Sequence, residues 1–253
     1  MREPDFLICG AAKSGTTSLQ KYLNSHPDIF LPDKEINYFS FRYNMGIENY
    51  LENFHSSCLR NGEKSTSYIY YQECHARLKV LFPNIKLIVM LREPIQRSYS
   101  NWNMRYNDRR LVKDGFRFNA KNKNLLRKLD FEYLVQFYLD NQNNTELVFQ
   151  KPLDLIHRSN YYEQINSLFK YFDKKQVKLI VYERFLNNIQ KCLDELYEFL
   201  EVDRKVIKQF EIYRKTSYSK RMDDVTQYKL KEYFKEKNAQ LFNLLGYQID
   251  EWK

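Results

Sequence analysis

Short apolar runs alternate along the chain with segments whose apolar positions recur at helical spacing. Apolar runs of strand length cover residues 6–9 and 86–91, residues 177–181 form a further strand candidate, and residues 62–69 form a weaker one. Helical spacing predicts helices over residues 16–23, 72–82, 94–106, 131–141, 161–172, 189–200 and 226–245. This alternation is typical of an α/β fold, so we predict a central parallel β-sheet of four to five strands flanked by helices.

The composition fits a globular chain with its own core. The hydrophobic fraction is 43% and the mean hydropathy is −0.69. Neither a linker nor an internal repeat divides the 253 residues, so we predict one domain over 1–253. No apolar run reaches the roughly 18 residues of a membrane span, and the apolar stretch before Gly10 is too short for a signal peptide. We therefore expect a cytoplasmic protein without a membrane span.

The four cysteines show neither CxxC spacing nor a histidine at metal-ligand spacing. They are Cys9, Cys58, Cys74 and Cys192. We interpret them as reduced, mostly buried thiols. This pattern argues against a secreted disulfide scaffold and against a zinc protein.

The net charge of +9 is concentrated in two segments. Residues 105–128 carry nine Lys or Arg against two Asp, and residues 204–221 carry seven against a single Glu. A concentrated positive field favours an anionic partner such as a nucleotide, a nucleic acid or an acidic glycan. We interpret residues 105–130 as a surface insertion.

The loop after the first strand is the most specific local feature. Its sequence GAAKSGTTS, residues 10–18, has the Gly-x4-Gly spacing of a P-loop. Such a loop places backbone N–H groups and a helix N-terminus around an anion. However, its lysine lies inside the loop at Lys13, and Arg92 rather than an acid follows strand 86–91. A P-loop-like anion site without a metal fits this pattern better than an ATP and Mg²⁺ site.

Two motifs make the chain resemble a known family. The segment KSGTTSL at 13–19 is similar to the 5′-phosphosulfate loop of sulfotransferases that use 3′-phosphoadenosine 5′-phosphosulfate (PAPS). The resemblance is strongest to the heparan-sulfate and bacterial carbohydrate branch. Strand 87–91 followed by Arg92, Pro94 and Ser100 resembles the family's 3′-phosphate motif. Arginine can hold a phosphate through two parallel hydrogen bonds, which agrees with that role.

Further segments extend the resemblance over most of the chain. They are HPD at 26–28, KEINYF at 34–39, EKSTSY at 63–68, the stretch from Tyr161 to Glu183, and the ending LGYQIDEW at 245–252. Thr66 stands where the family usually has proline. The Arg/Lys-Gly pair of the family's C-terminal cofactor loop is missing, and KTSYSK at 215–220 occupies its place.

The resemblance implies metal-independent transfer of a sulfuryl group from PAPS, with PAP as product, to a hydroxyl or amine. In this family pattern Glu35 is the general base, Lys13 neutralises the leaving 5′-phosphate, and Lys64 lies near the transferred sulfonate. The residues that would bind the donor are Lys13, Ser14, Gly15, Thr16, Thr17, Ser18, Arg92, Ser100, Lys215, Thr216, Ser217, Tyr218 and Lys220.

The acceptor is expected to be anionic or polyhydroxylated, and a glycan fits best. Basic residues early in the insertion would contact it: Arg105, Arg109, Arg110 and Lys113. A carboxylate base favours a carbohydrate over a phenol. His26 is expected to be structural, and His55, His75 and His157 are expected at the surface. Two alternatives remain open at this point, a P-loop kinase using ATP and Mg²⁺ and a basic nucleic-acid-binding module.

Overall fold

The computed structural model describes residues 2–54, 57–107, 130–144, 146, 154–209 and 221–253. The chain divides into two compact units. The sheet unit comprises Met1–Glu93, Glu163–Lys215 and Gln248–Lys253, and the helical unit comprises Pro94–Tyr162 and Thr216–Tyr247. The prediction of a single domain over 1–253 stays a prediction.

One parallel sheet of five strands forms the centre of the sheet unit. In chain order the strands are β1 (Phe6–Gly10), β2 (Ile29–Phe30), β3 (Arg60–Lys64), β4 (Lys86–Leu91) and β5 (Val177–Val181). Their order across the sheet is β2-β3-β1-β4-β5, and every neighbouring pair is parallel. This confirms the predicted α/β class with a central parallel sheet.

Helices precede or follow the strands as the alternating pattern predicts. They are α1 (Thr16–Asn24), α2 (Tyr38–Phe41), α3 (Ile47–Leu51), α4 (Glu73–Leu81), α5 (Pro94–Asn107), α6 (Phe131–Asp140), α7 (Asp154–His157), α8 (Tyr161–Tyr171), α9 (Tyr182–Asn187), α10 (Ile189–Leu200) and α11 (Asp224–Leu245). Short 3-10 turns occur at Tyr43–Met45, Lys174–Gln176 and Asp250–Trp252.

The core of the sheet unit follows from the alternation of side chains along the strands. Phe6 and Ile8 of β1 and Ile88 of β4 belong to one buried cluster, together with Leu19 of α1 and Leu193 of α10. Because successive side chains of a strand point to opposite faces, such residues two apart lie on one face of the sheet. Helices α1 and α10 therefore bury that face.

The helical unit has its own core of aromatic and aliphatic side chains. Tyr99 and Trp102 of α5 stack with ring centroids 5.3 Å apart, and Phe131 of α6 packs against both rings. Leu230 and Phe234 of α11 complete this cluster. No helix in the described part of the chain is long and apolar enough to cross a membrane.

The predicted strand over residues 62–69 is wrong beyond Lys64. Strand β3 begins at Arg60 and ends at Lys64, and the chain then turns, with the Tyr68 N–H donating to the Ser65 carbonyl at 3.2 Å. The hydroxyl side chains of residues 65–67 bond side chains instead of extending a strand: Ser65 donates to Glu63, Thr66 to Glu35 and Ser67 to Asn37.

Candidate functional site

The β1–α1 loop, residues 11–15, has a backbone that favours glycine at its end. Gly15 is the N-cap of α1 with φ 84° and ψ 9°, in the left-handed region, and Lys13 also has a positive φ of 76°. A Cβ on Gly15 would lie 2.6 Å from Cε2 of Tyr182. Helix α1 begins at Thr16, directly after this turn, and the first N–H groups of a helix lack intrahelical acceptors. The loop and helix start therefore offer donors for an anion, as the sequence predicts.

Ser14 provides an independent sign of a missing partner in this loop. Its side chain is fully buried, and among the described residues its Oγ has no hydrogen-bond partner. A buried hydroxyl without a partner costs free energy, so such a group in a folded protein calls for a ligand or a water molecule. A phosphate or sulfonate oxygen in this loop would accept from it, so the loop fits the phosphosulfate group.

Arg92 lies directly after β4, beside the same loop. Its Nη1 donates to the Lys13 carbonyl at 3.1 Å, and its guanidinium carbon lies 5.0 Å from the centroid of the Tyr182 ring. Strands β1 and β4 are parallel neighbours, so the residues that follow them meet at one edge of the sheet. The structure therefore brings together the two motifs that the sequence places 79 residues apart.

Glu183 has a structural role that the sequence analysis did not assign. Its Oε1 accepts from the Glu93 N–H at 3.0 Å, and its Oε2 accepts from the Trp252 indole N–H at 3.1 Å. The neighbouring Tyr182 ring contacts Arg92. The Tyr-Glu pair and the terminal tryptophan of the resemblance thus support the backbone next to Arg92. The sequence signal that could have indicated this role was the match of Tyr182, Glu183 and Trp252 to the family pattern.

Glu35 and Lys64 come together as an ion pair. The Lys64 Nζ lies 3.7 Å from Glu35 Oε1, and it also donates to Thr17 Oγ1 at 3.5 Å. The Lys64 side chain is 7% exposed and that of Glu35 is 32% exposed. Lys64 thereby links the start of α1 to a carboxylate that solvent can reach.

Thr66 also contacts Glu35, at the position where the chain departs from the family pattern. Its Oγ1 donates to the Glu35 carboxylate, at 3.1 Å from Oε1 and 3.3 Å from Oε2. A proline at this position could not make this contact, because proline carries no hydroxyl. The departure therefore adds a hydrogen bond to the proposed base.

Glu35 forms part of the wall of a cavity of about 510 Å³. The lining residues are Pro32, Asp33, Lys34, Glu35, Ile36, Tyr38, Arg42, Met45, Asn49, Tyr50 and Asn53. Charged, amide, aromatic and apolar side chains line this cavity, which lies entirely within the sheet unit. It has room for a sugar-sized group beside the carboxylate.

The remaining residues predicted to bind PAPS or the acceptor substrate fall into three groups. Ser100 lies in α5 of the helical unit and is buried. Arg105 Nη1 pairs with Asp154 Oδ1 at 2.7 Å, so its guanidinium has a partner within the helical unit. The other predicted residues lie outside the described residues: Arg109, Arg110, Lys113, Lys215, Thr216, Ser217, Tyr218 and Lys220.

Asp154 holds two arginines in the helical unit. Burial alone raises the pKa of Asp154, but Arg105 and Arg158 outweigh it and hold that pKa below its ordinary value. The carboxylate is 1% exposed and accepts from both guanidinium groups. Binding of an acceptor by Arg105 stays a prediction.

The histidines differ in their surroundings. His26 accepts from the Asp28 N–H at 3.1 Å, and its Nε2 lies 2.8 Å from the Asp203 carbonyl, which agrees with a structural role. The predicted surface position of His75 is wrong, because its side chain is fully buried in α4. His157 is half-buried, and His55 lies outside the described residues.

The cysteines and metal-ligating side chains add no further site in the described part of the chain. Cys9 and Cys74 are buried, Cys58 and Cys192 are half-buried, and all four are free thiols. Among the described residues no group of three or more His, Cys, Asp or Glu side chains could hold a metal ion.

Comparison with known families decides among the alternatives. The model of the sulfotransferase domain matches residues 3–245. The chain belongs to the sulfotransferase family. This confirms the resemblance drawn from the phosphosulfate loop and the Arg92 motif, and it makes the chain a transferase. The kinase and nucleic-acid-binding alternatives lose their support.

Relatives of this sulfotransferase carry different names. The chain is 26% identical to the membrane-associated sulfotransferase kil1 of Dictyostelium discoideum, over 96% of its own length and 65% of that protein. It is 35% identical to the bifunctional heparan sulfate N-deacetylase/N-sulfotransferase 1 of Caenorhabditis elegans, over 38% of this chain and 12% of that protein. The chain thus spans less than two thirds of either relative. Its cytoplasmic location stays a prediction.

Solved structures confirm the fold of the sulfotransferase. A crystal structure of a sulfotransferase from Alicyclobacillus acidocaldarius matches with a TM-score of 0.77 at 23% identity, covering 100% of this chain and 99% of that one. The sulfotransferase domain from the curacin biosynthetic pathway matches with a TM-score of 0.52 at 18% identity, covering 81% and 76% of the two chains. At these identities the likeness concerns the fold.

Proposed function

We propose that this sulfotransferase transfers a sulfuryl group from PAPS to a hydroxyl or amine of a glycan, without a metal ion and with Glu35 as general base. The observation that carries the proposal is the chain of contacts from Glu35 through Lys64 to Thr17 at the start of α1. It joins the anion-binding loop to a carboxylate that lines a cavity.

The donor would be held by the β1–α1 loop, the first turn of α1 and Arg92. Lys13 supplies positive charge there. Hydrogen-bond donors come from the hydroxyls of Ser14, Thr16, Thr17 and Ser18. Ser100 and the segment 215–220 are proposed as further contacts. PAPS supplies an activated sulfuryl group whose departure leaves negative charge on the 5′-phosphate. Preorganised donors and cations stabilise developing charge of this kind.

Glu35 would accept the proton of the attacking hydroxyl or amine on a carboxylate oxygen. Positioned general bases typically contribute about 10²–10⁴ in rate. Thr66 donates to the same carboxylate and limits its rotation, while Lys64 lies between Glu35 and Thr17. Lys64 thus offers a positive charge to the sulfuryl group and to the carboxylate.

The cavity beside Glu35 would receive the acceptor. Asn49 and Asn53 donate their side-chain amides to backbone carbonyls, at 2.5 Å from the Met45 carbonyl and 2.9 Å from the Tyr50 carbonyl respectively. Their amide oxygens remain as acceptors for sugar hydroxyls. The relative named for heparan sulfate supports a glycan acceptor. The basic segment 105–130, with Arg105, Arg109, Arg110 and Lys113, is proposed as a second contact with an anionic or polyhydroxylated acceptor.

The test is sulfuryl transfer from labelled PAPS to a panel of glycans in the presence of EDTA. We expect turnover without metal, and we expect Glu35→Gln to lower kcat by about 10² or more because general-base catalysis is lost. PAP affinity should stay within about threefold. The matched control is Glu73→Gln, which removes an exposed carboxylate of α4 that does not line the cavity and should leave kcat near wild type. Equal losses in both variants would remove Glu35 from the reaction.

A further inference from the structure

Glu63 is a buried carboxylate that the proposed reaction does not use. It lies in β3 directly before Lys64 and has no exposed surface. Tyr50 and Tyr68 donate their hydroxyls to its Oε1 at 3.1 and 2.8 Å, and Ser65 donates to its Oε2 at 2.8 Å. Burial raises the pKa of Glu63 to about 7, against the effect of these three hydrogen bonds. A buried carboxylate is costly, so its hydrogen-bond partners matter.

Two of these hydroxyls also accept hydrogen bonds from the segment that carries Glu35. The Asn37 N–H donates to Ser65 Oγ at 2.8 Å, and the Phe39 N–H donates to the Tyr68 hydroxyl oxygen at 3.4 Å. A hydroxyl has one hydrogen to give. Each chain of bonds therefore runs from a backbone N–H through a hydroxyl to Glu63, an acceptor while it is ionised.

Additional contacts join the same two segments side by side. Ser67 Oγ donates to Asn37 Oδ1 at 2.8 Å, and Ser40 Oγ lies 2.8 Å from Ser67 Oγ. Thr66 and Lys64 reach Glu35 itself. The segment 63–68 thus holds the segment 35–40 along its length, and Glu63 is the buried end of two of the links.

We infer that Glu63 is a positioning residue, which orients the hydroxyls of Ser65 and Tyr68 so that they hold the backbone of the Glu35 segment beside Lys64. The catalytic meaning of this position rests on the proposed role of Glu35. The hydrogen bonds themselves do not depend on that role. Glutamine at this position would replace one acceptor oxygen by an NH₂ donor, so at least one hydroxyl would lose its acceptor.

The experiment measures amide hydrogen exchange at Asn37 together with steady-state kinetics. Exchange is followed without donor or acceptor in wild type, Glu63→Gln, Ser65→Ala and the matched control Glu73→Gln, which changes an exposed carboxylate of α4. We expect exchange at Asn37 to accelerate at least tenfold in the first two variants and to stay within twofold in the control. Glu63→Asp, which keeps an acceptor, should restore part of the protection.

The kinetic expectation separates positioning from donor binding. In Glu63→Gln, kcat should fall at least tenfold while the Kd for PAP stays within threefold, because the anion loop is unchanged. Unchanged exchange at Asn37, with or without a loss of kcat, overturns the inference. If Glu63→Gln does not fold, Ser65→Ala decides in the same way, since it removes the hydroxyl that connects the Asn37 N–H to Glu63 and leaves the Glu63 carboxylate in place. Accelerated exchange in a chain that transfers no sulfuryl group from PAPS would support the positioning and refute the proposed function.

Discussion

At the residue scale, Arg92 offers the sharpest test of donor binding. We expect Arg92→Ala to weaken PAP binding ten- to hundredfold, because hydrogen bonds to charged groups are worth about 1.5–3 kcal/mol. Isothermal titration with PAP measures this directly. The same substitution removes the bond to the Lys13 carbonyl and the contact with the Tyr182 ring, so the melting temperature must be followed in parallel.

Arg92→Lys is the matched variant for this prediction. Lysine keeps the charge but cannot make two parallel hydrogen bonds, so we expect an intermediate loss of affinity. An alanine variant that binds PAP as tightly as wild type would remove Arg92 from the donor site. An alanine variant that only lowers the melting temperature would assign it a structural role.

The residues of the site divide into those the sequence could predict and those it could not. Lys13, Gly15 and Arg92 follow strands, and parallel strands bring the residues after their carboxyl ends to one edge, so their meeting was predictable. The bond from Thr66 to Glu35 joins residues 31 apart in two segments that are not paired strands. No spacing rule covers such an approach, because it depends on how the two segments pack.

At the element scale, predictions succeeded where burial alone decides the pattern. Strand β4 matches its predicted bounds because a strand inside the sheet and covered on both faces is a nearly continuous apolar run. Strand β5 also matches its predicted bounds, although it lies at the sheet edge and its Lys178 is half-buried. Strand β3 reads RNGEK, and its residues Gly62 to Lys64 are buried without being apolar. Their burial comes from Tyr50 and Tyr68, which donate to Glu63, and from the contacts of Lys64. The apolar pattern therefore indicates this strand only weakly, as the predicted run over residues 62–69.

Two helix-end glycines form a natural pair for testing the loop. Gly15 precedes α1 with φ 84° and ψ 9°, and Gly246 follows α11 with φ 80° and ψ 10°. A Cβ on Gly246 would meet nothing within 4 Å, whereas on Gly15 it would meet the Tyr182 ring at 2.6 Å. Alanine at either position bears the left-handed penalty of roughly 1–2 kcal/mol. Only at Gly15 does a steric clash add to that penalty.

We therefore expect Gly246→Ala to lower the free energy of unfolding by about 1–2 kcal/mol and leave PAP binding unchanged. Gly15→Ala should lower it by about 2–5 kcal/mol, because overpacking typically costs another 1–3 kcal/mol, and should abolish PAP binding. Urea denaturation and titration with PAP measure the two effects. Equal losses of stability, or full PAP affinity in Gly15→Ala, would contradict the crowded loop.

At the scale of the whole molecule, two buried groups make folding stability respond to pH in opposite directions. Burial lowers the pKa of His75 to about 4, and burial raises the pKa of Glu63 to about 7. Both side chains are fully buried. In the unfolded chain the two groups titrate near their ordinary values of about 6.5 for His and 4.5 for Glu. Between about pH 4 and 4.5 folding changes proton binding by His75 alone, and between about pH 6.5 and 7 it changes proton binding by Glu63 alone. Between about pH 4.5 and 6.5 it changes proton binding by both groups.

The sign of each contribution follows from which state binds more protons. The stability contributed by neutral His75 is complete above about pH 6.5 and is lost as the pH falls towards 4, since the unfolded chain then takes up the proton. Glu63 behaves oppositely. Its contribution is complete below about pH 4.5 and is lost as the pH rises through 7. Between pH 4.5 and 6.5 the two slopes oppose each other, so the wild-type curve hides both.

The difference in stability between wild type and a variant isolates the pH dependence contributed by the substituted group. We expect the stability of wild type relative to His75→Gln to fall by about 3 kcal/mol between pH 7 and 4, at about 1.4 kcal/mol per unit of pKa shift. Relative to Glu63→Gln it should fall by a similar amount as the pH rises from 4.5 to 7. Urea denaturation of the three proteins at half-unit pH intervals gives both differences, and other titrating groups cancel because they are common to all three. A difference that does not vary with pH would show that the substituted group keeps its ordinary pKa in the folded chain.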